Sequence, residues 1–352
     1  MLLTTTSVSN SVPGKEQFEA VTDARNAANK QEQMFVKNGM VQGNAGLVPR
    51  HVYQDFDSVT VERMRSDDGD TFLNDLMPLS RSVSIGKLIS RFRRASDAGV
   101  AQASMSGQSA VAFDQVEYKY DGSLVPIYDA GFGRNWREWA AQQSEGFDAL
   151  IDDQRETVAA LRRKIADSFL DGHKDRDGNT LSLDGITWTG MRNDSRVNQV
   201  DLGGSGISFD FTDNSKTGEE NKAAFIALRN VLWIDNNVAQ EATYYISREI
   251  AASWEHNFSS QYDAKTIMAE LNGLMGVKDI KVSSKLVGNE LMAMVLDSNS
   301  IKPLVGMGIT TVEMPRQVYN SDYRFTVWGA IGWEIRSDFS GNSACLFAQA
   351  IS

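Results

Sequence analysis

The run EGFDALIDDQRETVAALRRKIADSFL, residues 145–170, is the feature that most restricts how this chain can fold. Its apolar residues, among them Leu161, Ile165 and Phe169, recur at the spacing of one face of an α-helix. With a rise of about 1.5 Å per residue, such a helix is about 39 Å long. A helix with one apolar face is stable only when another layer covers that face. The chain must therefore supply a sheet or further helices to pack against it.

The stretch 108–136 predicts a long β-hairpin. Val116, Tyr118 and Tyr120 alternate with charged residues, Asp121-Gly122 is the dipeptide typical of a two-residue hairpin turn, and residues 124–128 lead back as an apolar strand. A two-stranded ribbon is only marginally stable by itself in water, because nothing covers its apolar side chains. We expect the ribbon to be covered either by the rest of its own chain or by another copy of it.

The remaining patterns predict a mixed α/β or α+β protein. Residues 1–50 are polar with scattered hydrophobes and predict an arm that has no core of its own, and the globular body is predicted to begin within 51–78. Residues 324–336 and 343–351 are predicted to close the fold as an antiparallel pair around the turn SDFSGN. Between arm and closing pair, helices are predicted at 220–236, after a Ser247 cap and at 264–274, and strands at 181–191, 242–247, 279–284, 291–297 and 309–318.

The segment HKDRDGNTLSLD, residues 173–184, partly matches a calcium-binding loop. Gly178 stands at the sixth position, with Asp175 and Asp177 at the third and fifth. However, His173 at the first position is a poor ligand for a hard cation, and Asp184 at the last is shorter than the usual Glu. We therefore predict a polar turn between helix and strand without a metal, and keep the calcium loop as the alternative.

The sequence contains few motifs that indicate catalysis. The chain has three histidines and no HExxH, no GxSxG nucleophile elbow, no Walker A loop and no GxGxxG after a strand. We predict that the protein is not an enzyme and has no cofactor. The alternative, a cytoplasmic α/β hydrolase, would depend on His256 beside Trp254 and Glu255.

Composition restricts partners and location. A net charge of −11 over 352 residues argues against a protein that binds nucleic acid over its entire surface. Arg91, Arg93 and Arg94 nevertheless make a local basic segment. Cys345 is the only cysteine, so the chain can form no internal disulfide. No run is long enough for a membrane helix, and no signal peptide is recognisable. We expect the chain to stay in the compartment where it is made.

The order of these elements resembles the major capsid proteins of tailed bacteriophages with the HK97 fold, an α+β fold shared with encapsulin shells. The stretches FTVWGAIGWEIR and GLMGVKDIKVSSKL add to the resemblance, which spans nearly the whole chain. It implies an N-terminal arm with its lead-in (1–75), a basic segment with the E-loop hairpin (76–135), a peripheral domain with the spine helix (136–222), an axial domain (223–322) and closing strands (323–352).

The resemblance implies a structural role in self-assembly. Pentamers and hexamers of such proteins build an icosahedral head around double-stranded DNA, which is held without sequence specificity. Scaffolding, portal and decoration proteins are the further partners implied, and the location implied is the virion, assembled in the bacterial cytoplasm without a membrane. An encapsulin-like compartment holding protein cargo is the alternative within the same fold.

The site implied by the resemblance is a set of contacts between copies. Some members of the family crosslink an E-loop lysine to an asparagine of the next copy; Lys119 is the only lysine of the predicted hairpin, but no asparagine partner is recognisable, so we expect no crosslink. The residues predicted to contact a neighbouring copy are Arg91, Arg93, Arg94, Tyr118, Lys119, Tyr120 and Phe35.

Overall fold

The long helix is present and packs against two β-sheets. A computed structural model describes residues 70–99, 101, 103, 105, 113–144, 149–204, 206–259, 265–316, 318 and 321–350, together with residues 26 and 30. The helices are α1 (Asp70–Leu76), α2 (Trp136–Ser144), α3 (Ala149–Asp171), α4 (Gly218–Asn230), α5 (Arg248–Trp254) and α6 (Ile267–Asn272). The strands are β1 (Arg81–Ser82), β2 (Ile89–Ala95), β3 (Tyr118–Leu124), β4 (Ile127–Arg134), β5 (Ser182–Leu183), β6 (Ile186–Thr187), β7 (Asn198–Asp201), β8 (Ala242–Ile246), β9 (Val277–Val282), β10 (Leu291–Met294), β11 (Ile301–Glu313), β12 (Tyr323–Ile335) and β13 (Cys345–Gln349).

Two compact units divide the chain, Met1–Glu62 and Arg63–Ser352. In the first unit the structure describes only Asn26 and Lys30, both helical. The predicted arm, with Phe35, therefore lies outside the described residues. All further description concerns the second unit.

A four-stranded sheet of order β1-β11-β12-β4 carries helix α3. The C-terminal half of the helix buries Leu161, Ile165 and Phe169 in one apolar core with residues of β12, and the ring of Phe169 meets Trp333 edge-on at 4.9 Å between centroids. Ile151, near the start of the helix, is 49% exposed. The sequence pattern thus predicted the helix and the direction in which its second half is buried.

A five-stranded sheet of order β7-β13-β10-β8-β9 forms the other layer, with α4, α5 and α6 contributing to its apolar core. Side-chain caps begin two of these helices. Thr217 and Glu220 form a reciprocal capping box at α4, and the Ser247 side chain accepts a hydrogen bond from the Ile250 amide at α5. Each cap supplies an acceptor for a backbone N–H that has no partner within the helix.

The predicted hairpin turn at Asp121-Gly122 is wrong. Strand β3 runs straight through this dipeptide and pairs with β2, from Ile89 opposite Leu124 to Ala95 opposite Tyr118. The segment after Pro126 becomes β4 and pairs with β12 in the four-stranded sheet. Gly122 is required here for close packing: a Cβ atom on it would lie 2.5 Å from Ile186 Cδ1 and 3.3 Å from the Ser90 carbonyl oxygen.

The predicted closing pair of strands is also wrong. Strand β12 belongs to the four-stranded sheet, whereas β13 lies between β7 and β10 in the five-stranded one. The only β-pairing described between the two segments is an isolated bridge between Ser337 and Ser343. Both strands are nearly continuous apolar runs, and a strand buried on both faces gives no periodic signal that reveals its sheet.

Substitution of Gly122 tests this packing. We expect Gly122→Ala to lower the free energy of unfolding by about 1 to 3 kcal/mol, because the added methyl group overpacks the contact with Ile186. Gly122→Asn should cost more, since the strand has no room for it, whereas a hairpin turn would tolerate Asn at a position of positive φ. Urea unfolding measures both.

The matched control is Gly86→Ala. A Cβ atom on Gly86 would meet only Ser84 Oγ, at 4.0 Å, so the unfolding free energy should stay close to that of the wild type. Equal tolerance of Ala and Asn at position 122 would contradict the close-packed strand.

Candidate assembly surface

Strands β2 and β3 form a two-stranded ribbon that pairs with no other strand of the described chain. Along β3 the side chains change from buried at Gly122, Ser123 and Leu124 to exposed at Tyr118, Lys119 and Tyr120, on both faces of the strand. Residues 96–117 join the two strands, and the Ser96 amide donates to the Glu117 carbonyl at 2.9 Å, which continues the pairing. The ribbon therefore has an anchored base and an exposed far half.

The base of the ribbon is held by buried polar contacts as well as by packing. Arg196 donates to the Gly122 carbonyl at 3.3 Å and to Asp194 at 2.8 Å. Burial alone would raise the pKa of Asp194, but its hydrogen bonds with Arg196 and the charge of that guanidinium hold the pKa below its usual value. Loss of one partner of so enclosed an ion pair would leave an uncompensated charge, so the pair helps to hold the ribbon base in place.

The three arginines predicted as contacts between copies are in different environments. Arg91 makes an exposed ion pair at 3.3 Å with Asp184, of the kind that contributes little free energy. Arg93 is exposed and lies 5.7 Å from the ring centroid of Tyr118. Arg94 is more enclosed and donates to Ser337 Oγ at 2.7 Å.

Of the other predicted residues, Phe35 lies outside the described part of the chain, and Tyr118, Lys119 and Tyr120 lie on the exposed half of the ribbon. Tyr118 and Tyr120 are 56% and 65% exposed, and the ammonium group of Lys119 lies 3.9 Å from the ring centroid of Phe339. Met105, Phe113 and Val116, in the segment that joins the two strands, add further exposed apolar side chains. Aromatic residues, Met and Arg are the types enriched in protein–protein interfaces. The contact roles of all these residues stay predictions.

Sequence reasoning missed Arg196, Arg336 and Phe339, which the structure brings to different parts of the ribbon: Arg196 to its base, Arg336 to Phe92 and Phe339 to Lys119. Phe339 lies in the segment read as a simple closing turn, far from the ribbon in sequence. No local pattern could have associated it with Lys119, because the contact depends on the course of the chain between two sheets.

The residues of the candidate calcium loop do not converge on one point. The carboxylate of Asp175 accepts hydrogen bonds from the amide and side chain of Asn179, at 2.7 and 3.3 Å, and closes a tight turn. Asp184 pairs with Arg91, and His173 is buried with its Nδ1 2.7 Å from the Tyr128 hydroxyl. Among the described residues no group of three or more His, Cys, Asp or Glu side chains is placed to hold a metal.

His256, on which a hydrolase would depend, is an exposed residue at the end of α5. Its carbonyl accepts the amide of Ile267 at 3.0 Å and so helps to place α6, while the neighbouring Trp254 is buried and donates to Asn221 at 3.1 Å. In the part of the chain that the structure describes, no helix combines the length and apolar character needed to cross a bilayer.

Solved structures with the same fold are capsid structures. The chain is similar to the capsid of Myoviridae phage XM1, with a TM-score of 0.63 at 11% identity over 88% of this chain and 100% of that one. The native GTA particle capsid (TM-score 0.54, 13% identity, 89% and 98% covered) and the capsid of Ralstonia phage GP4 (0.53, 9%, 89% and 99%) are also similar. The predicted α+β fold of HK97 type is confirmed.

Sequence comparison adds one family. A family model described as a family of unknown function, DUF6260, matches residues 15–348. No curated protein matches the sequence.

Titration of His173 should be visible in the pH dependence of stability. Burial lowers the pKa of His173 to about 3, and the nearby charge of Arg196 acts in the same direction. In the unfolded chain a histidine has a pKa of about 6.5. As the pH falls below about 6.5, the unfolded chain takes up a proton that the folded one does not, so the free energy of unfolding decreases by up to about 1.4 kcal/mol per pH unit.

His173→Gln should remove this slope, since an amide can hydrogen-bond to the Tyr128 hydroxyl without titrating. The measurement is urea unfolding at several pH values between about 6.5 and 5, above the range in which most carboxylates titrate. His256→Gln, at an exposed position, is the control and should keep the wild-type slope. An unchanged slope in His173→Gln would refute the assignment.

Proposed function

Because the chain belongs to the DUF6260 family and has the fold of phage capsid proteins, we propose that it is a structural protein that assembles into an icosahedral phage head. The observation that carries the proposal is the ribbon β2–β3. Its far half exposes Tyr118, Tyr120 and Phe113, and the described part of its own chain does not cover them. In the assembled shell, neighbouring copies of the chain cover these side chains.

Assembly follows from the form of this contact. A ribbon of one copy that lies on a different surface of the next copy makes a heterologous contact, and repetition of such contacts by rotation closes rings. Rings of five and six copies then build the shell. Burial of the tyrosines and neighbouring apolar side chains contributes about 25 cal/mol per Å² of apolar surface, repeated at every subunit.

The negative charge suits a container for double-stranded DNA. With a net charge of −11, the subunit does not attract phosphate over its surface as a whole, so the packaged DNA is enclosed without sequence-specific contacts. The role is structural and not enzymatic. Scaffolding, portal and decoration proteins are further proposed partners, and the proposed site of assembly is the cytoplasm of the bacterial host.

Expression of the full chain alone tests assembly. We expect sedimentation velocity to show a large closed species in equilibrium with small oligomers, and negative-stain electron microscopy to show shells of uniform diameter. A monomer that persists at every protein concentration would contradict the proposal. Particles purified from an infected host should contain nuclease-protected DNA; protein cargo in its place would indicate an encapsulin-like compartment.

The ribbon face can be tested by substitution. We expect the double variant Tyr118→Ser, Tyr120→Ser to raise the protein concentration needed for shell formation about tenfold or more, since loss of about 1.4 kcal/mol per contact changes an association constant tenfold. Light scattering against concentration gives this threshold, and thermal melting of the unassembled subunit should change little, because both side chains are exposed.

Val287→Ser is the control, because Val287 is 64% exposed and lies outside the ribbon. It should assemble like the wild type. A double tyrosine variant that assembles at the wild-type threshold would show that the ribbon face is not a contact.

A further inference from the structure

The four-stranded sheet is covered by helix α3 on one face, while its other face is largely exposed. Paired residues of neighbouring strands point to the same side. Val327, opposite Ala130, is buried in the core that contains α3, so Thr326, opposite Gly131, points away from it. We call this second side the outer face. Its members are Ile127, Asp129, Gly131 and Gly133 on β4, Arg324, Thr326 and Trp328 on β12, and Thr310 and Val312 on β11.

The composition of the outer face is that of a protein contact surface. A solvent-exposed face of an antiparallel sheet is normally polar. Among the members just named, however, Asp129 and Arg324 are the only charged residues, and Ile127 and Val312 are about half exposed. Depletion of charge is typical of the centre of a protein–protein interface, whereas a DNA surface needs several Lys or Arg residues. The outer face is therefore suited to another protein segment.

Gly131 leaves a gap in the middle of the outer face. A Cβ atom on it would lie 3.5 Å from the Phe325 carbonyl oxygen and would meet no other group of the surrounding chain within 4 Å. A groove of about 390 Å³ lies here, with Gly131, Arg324 and Met314 in its lining. Glycine within a strand often marks a place where another segment approaches closely. The groove has room for an aromatic side chain.

The two charged residues beside the gap have no ionic partner among the described residues. Asp129 is the next residue of β4 on the same face as Gly131, so its carboxylate lies at one end of the gap. Arg324 lies at the other end, where its Cγ would be 3.3 Å from a Cβ atom on Gly133. A segment that fills the gap thus meets an unpaired carboxylate and an unpaired guanidinium group.

The ribbon β2–β3 presents a complementary set of side chains. The face that carries Phe92 and Lys119 is covered by contacts within its own chain. The opposite face carries Arg93, Tyr118 and Tyr120, and all three are exposed. The guanidinium group of Arg93 lies 5.7 Å from the ring centroid of Tyr118 and has no carboxylate partner in the described chain. This face offers aromatic rings and one unpaired cation.

We propose that the outer face of the sheet receives the ribbon of a neighbouring copy. In this contact Tyr120 enters the gap over Gly131. Arg93, directly opposite Tyr120 in the ribbon at about 5 Å between Cβ atoms, pairs with the carboxylate of Asp129. Asp129 and Gly131 are about 7 Å apart along one face of a strand, a difference that a long arginine side chain spans. Arg324 can then stack on the tyrosine ring.

This contact has the form that shell assembly requires. Each copy carries one ribbon and one outer face, so the contact is heterologous and repeats from copy to copy. The ion pair sets the register of the ribbon on the sheet, and the tyrosine supplies buried area. The inference rests on the proposed function and names the surface that the ribbon contacts.

Exchange of the two charges tests the pairing. Arg93→Glu and Asp129→Arg, made singly, each place like charges together and should raise the concentration threshold for shell formation about tenfold or more. The double variant restores an opposite pair and should assemble within about threefold of the wild-type threshold. Arg93→Glu combined with Asp177→Arg is the control, because Asp177 lies in an exposed turn outside both faces and should give no recovery.

Filling the gap tests the outer face separately. Gly131→Val should raise the threshold about tenfold or more, because the added side chain occupies the space for the ring. The melting temperature of the unassembled subunit should stay the same or rise, since valine favours a strand more than glycine does. Gly86→Val, at a position where a Cβ atom would meet only Ser84 Oγ at 4.0 Å, is the control and should assemble like the wild type.

Crosslinking identifies the two partners directly. Arg93→Lys keeps the positive charge and introduces an amine that a carbodiimide, which adds no spacer, can join to Asp129. Shells assembled from a mixture of ¹⁴N- and ¹⁵N-labelled chains of this variant should yield mixed-isotope peptides that join position 93 to Asp129. Crosslinks of position 93 to other acidic residues alone would contradict the pairing.

The outcomes distinguish this contact from the proposed function. Wild-type chains that form no shells refute the proposed function, and the contact falls with it. Shells that form while Gly131→Val and both single charge variants assemble at the wild-type threshold refute the contact alone. Raised thresholds that the double charge variant does not relieve would show that the outer face receives a different segment, and recovery with Asp177→Arg would show a general charge effect; either result overturns the contact.

Discussion

Ser168, near the end of helix α3, is the point on which the arrangement of the described structure depends. Its carbonyl accepts the indole N–H of Trp188 at 2.8 Å, and its hydroxyl accepts the indole N–H of Trp333 at 3.0 Å. Both tryptophans are fully buried, where an indole N–H without an acceptor would be costly. One helical residue thus fixes the position of strand β12 and of the β5–β6 hairpin. Because Ile186 of that hairpin packs on Gly122, the base of the ribbon is placed by the same helix.

The helix also joins the two sheets into one core. Phe169 packs among residues of both, with Trp333 and Val327 from the four-stranded sheet and Phe347 from the five-stranded one. This shared core gives the ribbon a packed base, while no described residue of the chain covers Tyr118 and Tyr120 in its far half. A firmly based element with an unsatisfied surface is suited to assembly, because little ordering free energy is lost when a neighbouring copy covers it.

The arginines of the ribbon and its base also differ in whether they are enclosed or exposed. Arg196 is enclosed with Asp194 and holds the structure together, whereas Arg93 faces outward beside an aromatic ring. The ribbon thus carries an enclosed ion pair at its base and an exposed guanidinium group on its outer half.

Much of the architecture could be read from the sequence, because its causes are local. The 3.6-residue period of 145–170 predicted α3, the Ser247 cap marked the start of α5, and the order of elements predicted the α+β capsid fold. Strand partners could not be read in the same way. The dipeptide Asp-Gly shows why: Asp184-Gly185 has positive φ at both residues and makes the two-residue turn of the β5–β6 hairpin, whereas Asp121-Gly122 lies within a strand.

The sequence by itself determined the long helix α3, the Ser247 cap of α5 and the mixed helix-and-strand class of the fold. Only the tertiary structure decided that the ribbon pairs 89–95 with 118–124, that β12 and β13 belong to different sheets, and that Arg336 and Phe339 contact Phe92 and Lys119. The physical reason is the range of the interactions. Periodicity and capping act within a few residues, but strand pairing and clefts depend on contacts between segments that are distant along the chain.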